Sequence, residues 1–204
     1  PMTPLWLDEA QSAAIAAEGP AGLVEALRHD GHPPLYYLLL MGWSSILGDG
    51  GAALRALSGV LGVFAMGLTW LVARCHLDGR GTAAVVAVMA SSPFAIRYGT
   101  EVRMYSLLLV LLLAGHLVLV AAWRRSEFRR LGGMTAVTAA LLFTHYWSLF
   151  LVVVVAVVLT GGALRGSVPA RRSARRMLGA LALGAAPFAV WLPVLAGQMA
   201  HTGT

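Results

Sequence analysis

Apolar runs separated by short polar clusters dominate this chain from residue 54 onward, and six of the runs are candidates to cross a membrane: 56–73, 81–96, 105–122, 132–144, 147–163 and 177–196. A helix needs about 20 apolar residues to cross a ~30 Å hydrocarbon core. The fourth and fifth runs are each short, yet joined they are too long for one span. Two short helices meeting at the polar break Thr144-His145-Tyr146-Trp147 is the economical reading. The first 53 residues differ. Residues 8–29 are alanine-rich and favour helix, with Gly19-Pro20 expected to break them into two pieces too short to span. Asp30-Gly31-His32-Pro33-Pro34 is a turn signal. Residues 35–47, with Tyr36, Tyr37 and Trp43, predict a helix lying at or dipping into the membrane surface, because aromatic residues favour that interface.

The pattern therefore predicts an all-α polytopic membrane bundle. Residues 1–53 form external juxtamembrane helices and 54–204 a six-span bundle. No internal repeat, polar second domain or long linker is visible. Composition agrees: 58% hydrophobic residues against 12% charged, with mean hydropathy +0.75, lies outside the range of a soluble domain. The net charge of +6 does not point to nucleic acid. All 15 basic residues are arginines, and 11 of them fall in three loops, at residues 74–80, 124–130 and 165–176. Six alternating spans put all three loops on the cytoplasmic side, as the positive-inside rule requires. A single helix over 132–163 would turn the five-arginine loop outward. The lone Cys75 excludes an intrachain disulfide.

That topology gathers the polar chemistry on the external face. Asp8, Glu9, His32, Arg55, the 97–105 segment and His145 all lie there, with seven of the nine acidic residues. The adjacent carboxylates Asp8-Glu9 suit a proton or metal site or a solvated turn. In Arg97-Tyr98-Gly99-Thr100-Glu101-Val102-Arg103-Met104-Tyr105, an acid, a base and phenols sit between two spans. Charges drawn towards a membrane are paired or functional, so this segment is either a salt bridge closing two helix ends or part of a site. His32 and His145 each have two readings, as helix-end groups or as site residues, and Arg55 is either a snorkelling anchor or a phosphate ligand.

The order of these features resembles a known family. An Asp-Glu pair, then His-Pro-Pro-Leu-Tyr-Tyr with Trp43, Arg55 opening a span, Tyr-x-x-Glu-x-Arg-x-Tyr and Thr-His-Tyr together are similar to the GT-C glycosyltransferases. The nearer likeness is to the dolichyl-phosphate-mannose protein mannosyltransferase-like family, which includes aminoarabinose and Rgt-type transferases. The resemblance implies an inverting glycosyltransferase of the plasma membrane. It would move a sugar from a polyprenyl-phosphate donor to a protein, lipid or polysaccharide acceptor on the outer face. It also implies Asp8 and Glu9 as the catalytic acids, with Asp8 either the general base or, with Glu101, a holder of Mg2+ or Mn2+. His32, Arg55, Arg97, Glu101, Arg103, Tyr105 and His145 would bind substrate. The chain has no lysine, so arginine or histidine must hold the donor phosphate. Family members carry spans before the Asp-Glu loop and after the region where this chain ends, so a catalytic-core fragment is expected. The rival reading is a transporter or lipid-binding scaffold with an external acidic ion site. Charges at one face and the lack of a repeat favour the enzyme.

The topology yields a direct test. A cysteine introduced by Glu101→Cys is expected to react with an impermeant thiol reagent added outside intact cells, and one introduced by Ser173→Cys is not. The reverse labelling pattern overturns the assignment of the polar face.

Overall fold

The computed structural model describes residues 4–201, which fold into helices joined by short turns. The first three are α1 (Leu7–Ala17), α2 (Gly19–Asp30) and α3 (Leu35–Leu47). Gly19 takes φ +71°, a left-handed conformation that bulkier residues adopt at a cost, and so turns the chain sharply between α1 and α2. Gly31, at φ +77°, closes α2 in the same way. Both breaks fall where the glycines and prolines predict them.

Eight further helices follow: α4 (Gly51–Arg74), α5 (Gly79–Ser91), α6 (Pro93–Thr100), α7 (Tyr105–Arg124), α8 (Phe128–Leu142), α9 (Ser148–Arg165), α10 (Val168–Ala185) and, after a 3-10 turn at Ala186–Trp191, α11 (Leu192–His201). By length and composition α4, α7, α9 and the continuous Val168–Met199 stretch are long and apolar enough to cross a membrane. The run at 81–96 departs from the single straight helix expected. It is bent by 58° between α5 and α6, because Pro93 cannot donate the backbone hydrogen bond that would continue the helix, while Ser92 Oγ accepts from Ala95 N–H to start a new one. Residues 97–100 are consequently helical rather than loop. The last run is also longer than expected and broken, with Pro187 and Pro193 bounding the 3-10 turn. The break at Thr144-His145-Tyr146-Trp147 is present, and α8 has only 15 residues.

Neighbouring helices pack in the order α5, α4, α7, α8, α10, α9. One core cluster lies under α1–α3 and joins Leu27, Tyr36, Tyr37 and Leu40 to Leu54, Leu57, Leu107 and Leu142. A second, around Ala122, Met134, Leu159 and Met177, sits towards the arginine-bearing helix ends. Val63, Phe64, Val153, Val157 and Leu183 are exposed, as side chains facing lipid would be. Association of apolar helices depends on close backbone approach at small residues. Gly184 is the tightest such point. A Cβ added there would come within 2.8 Å of Thr138 Cβ and would strike the backbone at Thr135, in α8. Thr135 Oγ1 also donates to the Ala180 carbonyl of α10 (3.1 Å).

Gly184→Ala is therefore expected to destabilise the α8–α10 pair by about 1–3 kcal/mol, the cost of overpacking. Gly179→Ala, in open space on the same helix, should leave stability unchanged or slightly raised. Thermal unfolding of the two purified variants makes the comparison.

Candidate active site

The acidic pair is split by the helix that carries it. Consecutive residues on a helix point about 100° apart, and α1 turns Glu9 inward while Asp8 stays exposed. The Glu9 side chain is only 2% exposed. Oε1 accepts from Arg55 Nε (3.0 Å) and from the Val102 N–H (3.1 Å). Oε2 accepts from Arg55 Nη2 (2.6 Å) and from the Trp6 N–H (3.0 Å), the latter closing the first turn of α1. Burial alone would raise the Glu9 pKa, but the hydrogen bonds from Arg55, Trp6 and Val102 outweigh it, and the pKa lies below the ordinary glutamate value. Four donors occupy this carboxylate. Through these contacts Glu9 is a clamp between α1, α4 and the α6–α7 link.

Arg55 is correspondingly engaged with Glu9 and with the Pro4 carbonyl (3.1 Å). Arg97 Nε pairs with Glu101 Oε1 at 3.1 Å, and its guanidinium stacks 5.7 Å from the Trp6 ring. These groups line a polar cavity of about 360 Å³ with Thr100. The segment that reads as either a salt bridge or a site is thus divided. Glu101 and Arg97 make the salt bridge.

The other half belongs to a second cluster. Asp30, at the end of α2, has a side chain only 3% exposed. Its Oδ2 accepts from Tyr37 Oη (2.5 Å) and His32 Nδ1 (3.0 Å), and its Oδ1 from Gln11 Nε2 (2.7 Å). Burial works against its charge, but the bonds from His32 and Tyr37 and the positive charge of Arg103 hold its pKa below the ordinary aspartate value. With Asp30 ionised, His32 Nδ1 is the donor to Oδ2. The His32 ring meets His145 edge-on at 6.1 Å between centroids, and His145 lies 6.4 Å from Tyr105. His145 Nδ1 accepts from the Trp147 N–H (3.2 Å), which leaves the ring proton of the neutral form on Nε2. Burial, then His32 and Arg103, push the His145 pKa down, so the neutral donor form is favoured.

Arg103 is half-buried beside this group, 5.9 Å from the Tyr105 ring, with a buried Nε that has no hydrogen-bond partner among the described residues. Burial disfavours its charge, but Tyr105, Tyr37 and the negative charge of Asp8 outweigh that, so the guanidinium is firmly cationic. His32, Arg103, Tyr105 and His145 are thus brought together, with Asp8 acting on Arg103. Arg55, Arg97 and Glu101 are held in the neighbouring cavity with Glu9. Sequence reasoning missed Asp30 as the group that orients His32. The available signal was an aspartate two residues before a histidine in a turn.

Of the two residues expected to hold Mg2+ or Mn2+, Glu101 is engaged by Arg97 and Asp8 stands exposed on α1. Among the described residues no group of three or more His, Cys, Asp or Glu side chains could hold a metal ion.

Long apolar helices bearing a half-buried arginine and two imidazoles at one end define a multi-pass membrane protein. The profile of the dolichyl-phosphate-mannose-protein mannosyltransferase family matches residues 31–196, and the chain belongs to that family of membrane glycosyltransferases. The match covers His32, Arg55, Arg97, Glu101, Arg103, Tyr105 and His145; Asp8, Glu9 and Asp30 precede it. No curated protein and no solved structure matches the chain.

The clamp makes a stability prediction. A carboxylate with a depressed folded pKa contributes stability that is present above its unfolded pKa and lost as pH falls through the folded one. Wild-type stability should therefore drop as pH falls below the ordinary glutamate pKa of about 4.3, and Glu9→Gln should show less of that drop. Arg55→Ala leaves Glu9 buried without its cation and is expected to cost about 3 kcal/mol at neutral pH. Thermal unfolding at neutral and acidic pH reads both effects.

Proposed function

We propose that the chain carries the catalytic face of a glycosyltransferase that takes its sugar from a polyprenyl-phosphate carrier and transfers it, with inversion, to an acceptor outside the plasma membrane. The observation that carries this reading is the position of Tyr105. It stands in the polar cluster beside Arg103 and His145, and it also lines an apolar groove of about 1000 Å³ between α4, α5, α6 and α7. Val63, Met66, Val88 and Phe94 line the same groove, and the Tyr98 ring lies against Tyr105, centroids 4.5 Å apart and tilted by 51°. A substrate with a charged phosphate and a long hydrocarbon tail fits this junction. A soluble nucleotide sugar has nothing to place in the groove.

In this reading Arg103 and the His145 Nε2–H receive the donor phosphate. The acceptor hydroxyl attacks the anomeric carbon from the opposite side and gives its proton to Asp8, the exposed carboxylate of the split pair. As the bond from that carbon to the phosphate oxygen breaks, the negative charge developing on the phosphate meets the guanidinium and the imidazole donor, which stabilises the transition state more than the ground state. His32, held by Asp30, supports His145 from behind and offers a second nitrogen to the phosphate or the sugar. No step is routed through a metal ion. The sugar and the acceptor remain general in this proposal.

Two substitutions in the complete protein test it. Asp8→Asn keeps the shape of the base and removes its ability to take a proton, so transfer of radiolabelled sugar from polyprenyl phosphate should be abolished while donor binding persists. Near wild-type transfer would show that Asp8 is not the base. Arg103→Lys keeps the charge and loses the planar fork, and donor binding measured by calorimetry should weaken by about 1.5–3 kcal/mol. Unchanged donor affinity in a folded variant returns Arg103 to a packing role.

A further inference from the structure

The sugar-transfer reading leaves two ionisable groups unused at the opposite end of the bundle. His76 lies in the turn after α4, and His116 is the sole acid or base inside α7 between its ends, Tyr105 and Arg124. An ionisable side chain inside a spanning helix calls for a partner and a reason. The partner of His116 is not a carboxylate. Its Nε2 lies 2.9 Å from His76 Nε2, with the ring centroids 5.2 Å apart and the rings tilted by 55°. The nearest acid in sequence, Asp78, turns away to accept the Gly81 N–H at the start of α5 (2.8 Å).

Two imidazole Nε2 atoms facing one another from separate elements, one donating its proton to the other, can supply two of the four ligands of a tetrahedral metal site once that proton is displaced. At a metal–nitrogen distance of about 2.1 Å and a tetrahedral angle, two ligand nitrogens stand about 3.4 Å apart. The observed 2.9 Å separation therefore needs an opening of about half an ångström, a small rotation of either ring. In the neutral pair one Nε2 carries the shared proton. An arriving ion displaces it, and the proton passes through water to the Nδ1 of the same ring, so both nitrogens bind as neutral ligands. The pair is exposed, which leaves room for water to complete the coordination. Imidazole suits zinc, copper and nickel, whereas magnesium and calcium prefer oxygen.

We propose that His76 and His116 form a bidentate site for a divalent transition-metal ion of the zinc class, fastening the α4–α5 turn to the middle of α7. The site is independent of the sugar-transfer reading, because it shares no residue with the cluster around Arg103.

The experiment titrates the purified protein with Zn2+ by calorimetry and records thermal unfolding with and without the ion. Wild type is expected to bind one ion at this site and to unfold at a higher temperature when it is bound. His76→Ala and His116→Ala should each weaken binding at least tenfold and remove the thermal shift, while Asp8→Asn, Glu101→Gln and Cys75→Ser retain both. Metal-free unfolding of each variant confirms that it folds. His116→Gln supplies a second variant at the intramembrane position. Cu2+ in the same site should give an electron paramagnetic resonance spectrum with two equatorial nitrogens in wild type and one in either variant. Isotherms unchanged in both histidine variants would overturn the proposal. So would binding lost in Asp8→Asn or Cys75→Ser but kept in His116→Ala.

Discussion

One buried carboxylate organises the polar end of this molecule. Glu9 receives four hydrogen bonds from three places: the first turn of its own helix, the first turns of α4 through Arg55, and the backbone at Val102. Taking an ion pair out of water is costly, and the cost is offset only when every remaining acceptor position is filled, as it is here. The geometric consequence reaches further than the energy. Once Glu9 is fixed, α1 has no freedom to rotate, and Asp8 is held on its exposed side. Once the Val102 N–H is fixed, the next residue, Arg103, enters the neighbouring cluster at a set position. The clamp thus places one carboxylate and one guanidinium of the proposed chemistry without touching substrate.

Much of the architecture is legible in the amino-acid pattern, because membrane helices are written in composition. The helix at Leu35–Leu47, the turns at Gly19 and Gly31 and the break around His145 all fall where apolar runs and helix breakers place them, although Tyr36 and Tyr37 are buried in the core rather than set out at a surface. The bend at Pro93 and the 3-10 turn between Pro187 and Pro193 were less accessible, since a proline inside an apolar run is compatible with either a tolerated kink or a new helix. The way the polar residues divide between two clusters was not legible. Nothing local distinguishes Asp8 from Glu9. Their fates differ because Arg55 lies 46 residues away from one of them in sequence and next to it in space. Asp30 escaped notice for the converse reason: its importance comes from Gln11 and Tyr37, neither of which is informative alone.

The arrangement of the two site histidines follows from how the helix ends are closed. α8 stops at Leu142, and its end is taken up by α3, whose Leu35 N–H donates to the Phe143 carbonyl (2.9 Å). On the far side, the Tyr146 hydroxyl bonds Gln198 and accepts from Trp191 Nε1 (2.9 Å), while Gln198 Nε2 donates to the Leu27 carbonyl (2.5 Å). The turn between α8 and α9 is therefore held by α3 from one direction and by α11 and α2 from the other. His145 sits in that turn, between two fixed flanks.

Imidazoles held in this way differ from histidines that merely face water. Asp30 fixes the His32 ring through Nδ1, and the Trp147 N–H fixes the His145 ring through Nδ1, so both rings commit the same nitrogen to the protein. An amide donor on Nδ1, burial and nearby positive charge favour the neutral form of His145. Asp30, Gln11, Tyr37 and Trp147 hold the two rings, and through these contacts α1–α3 are tied to the bundle end.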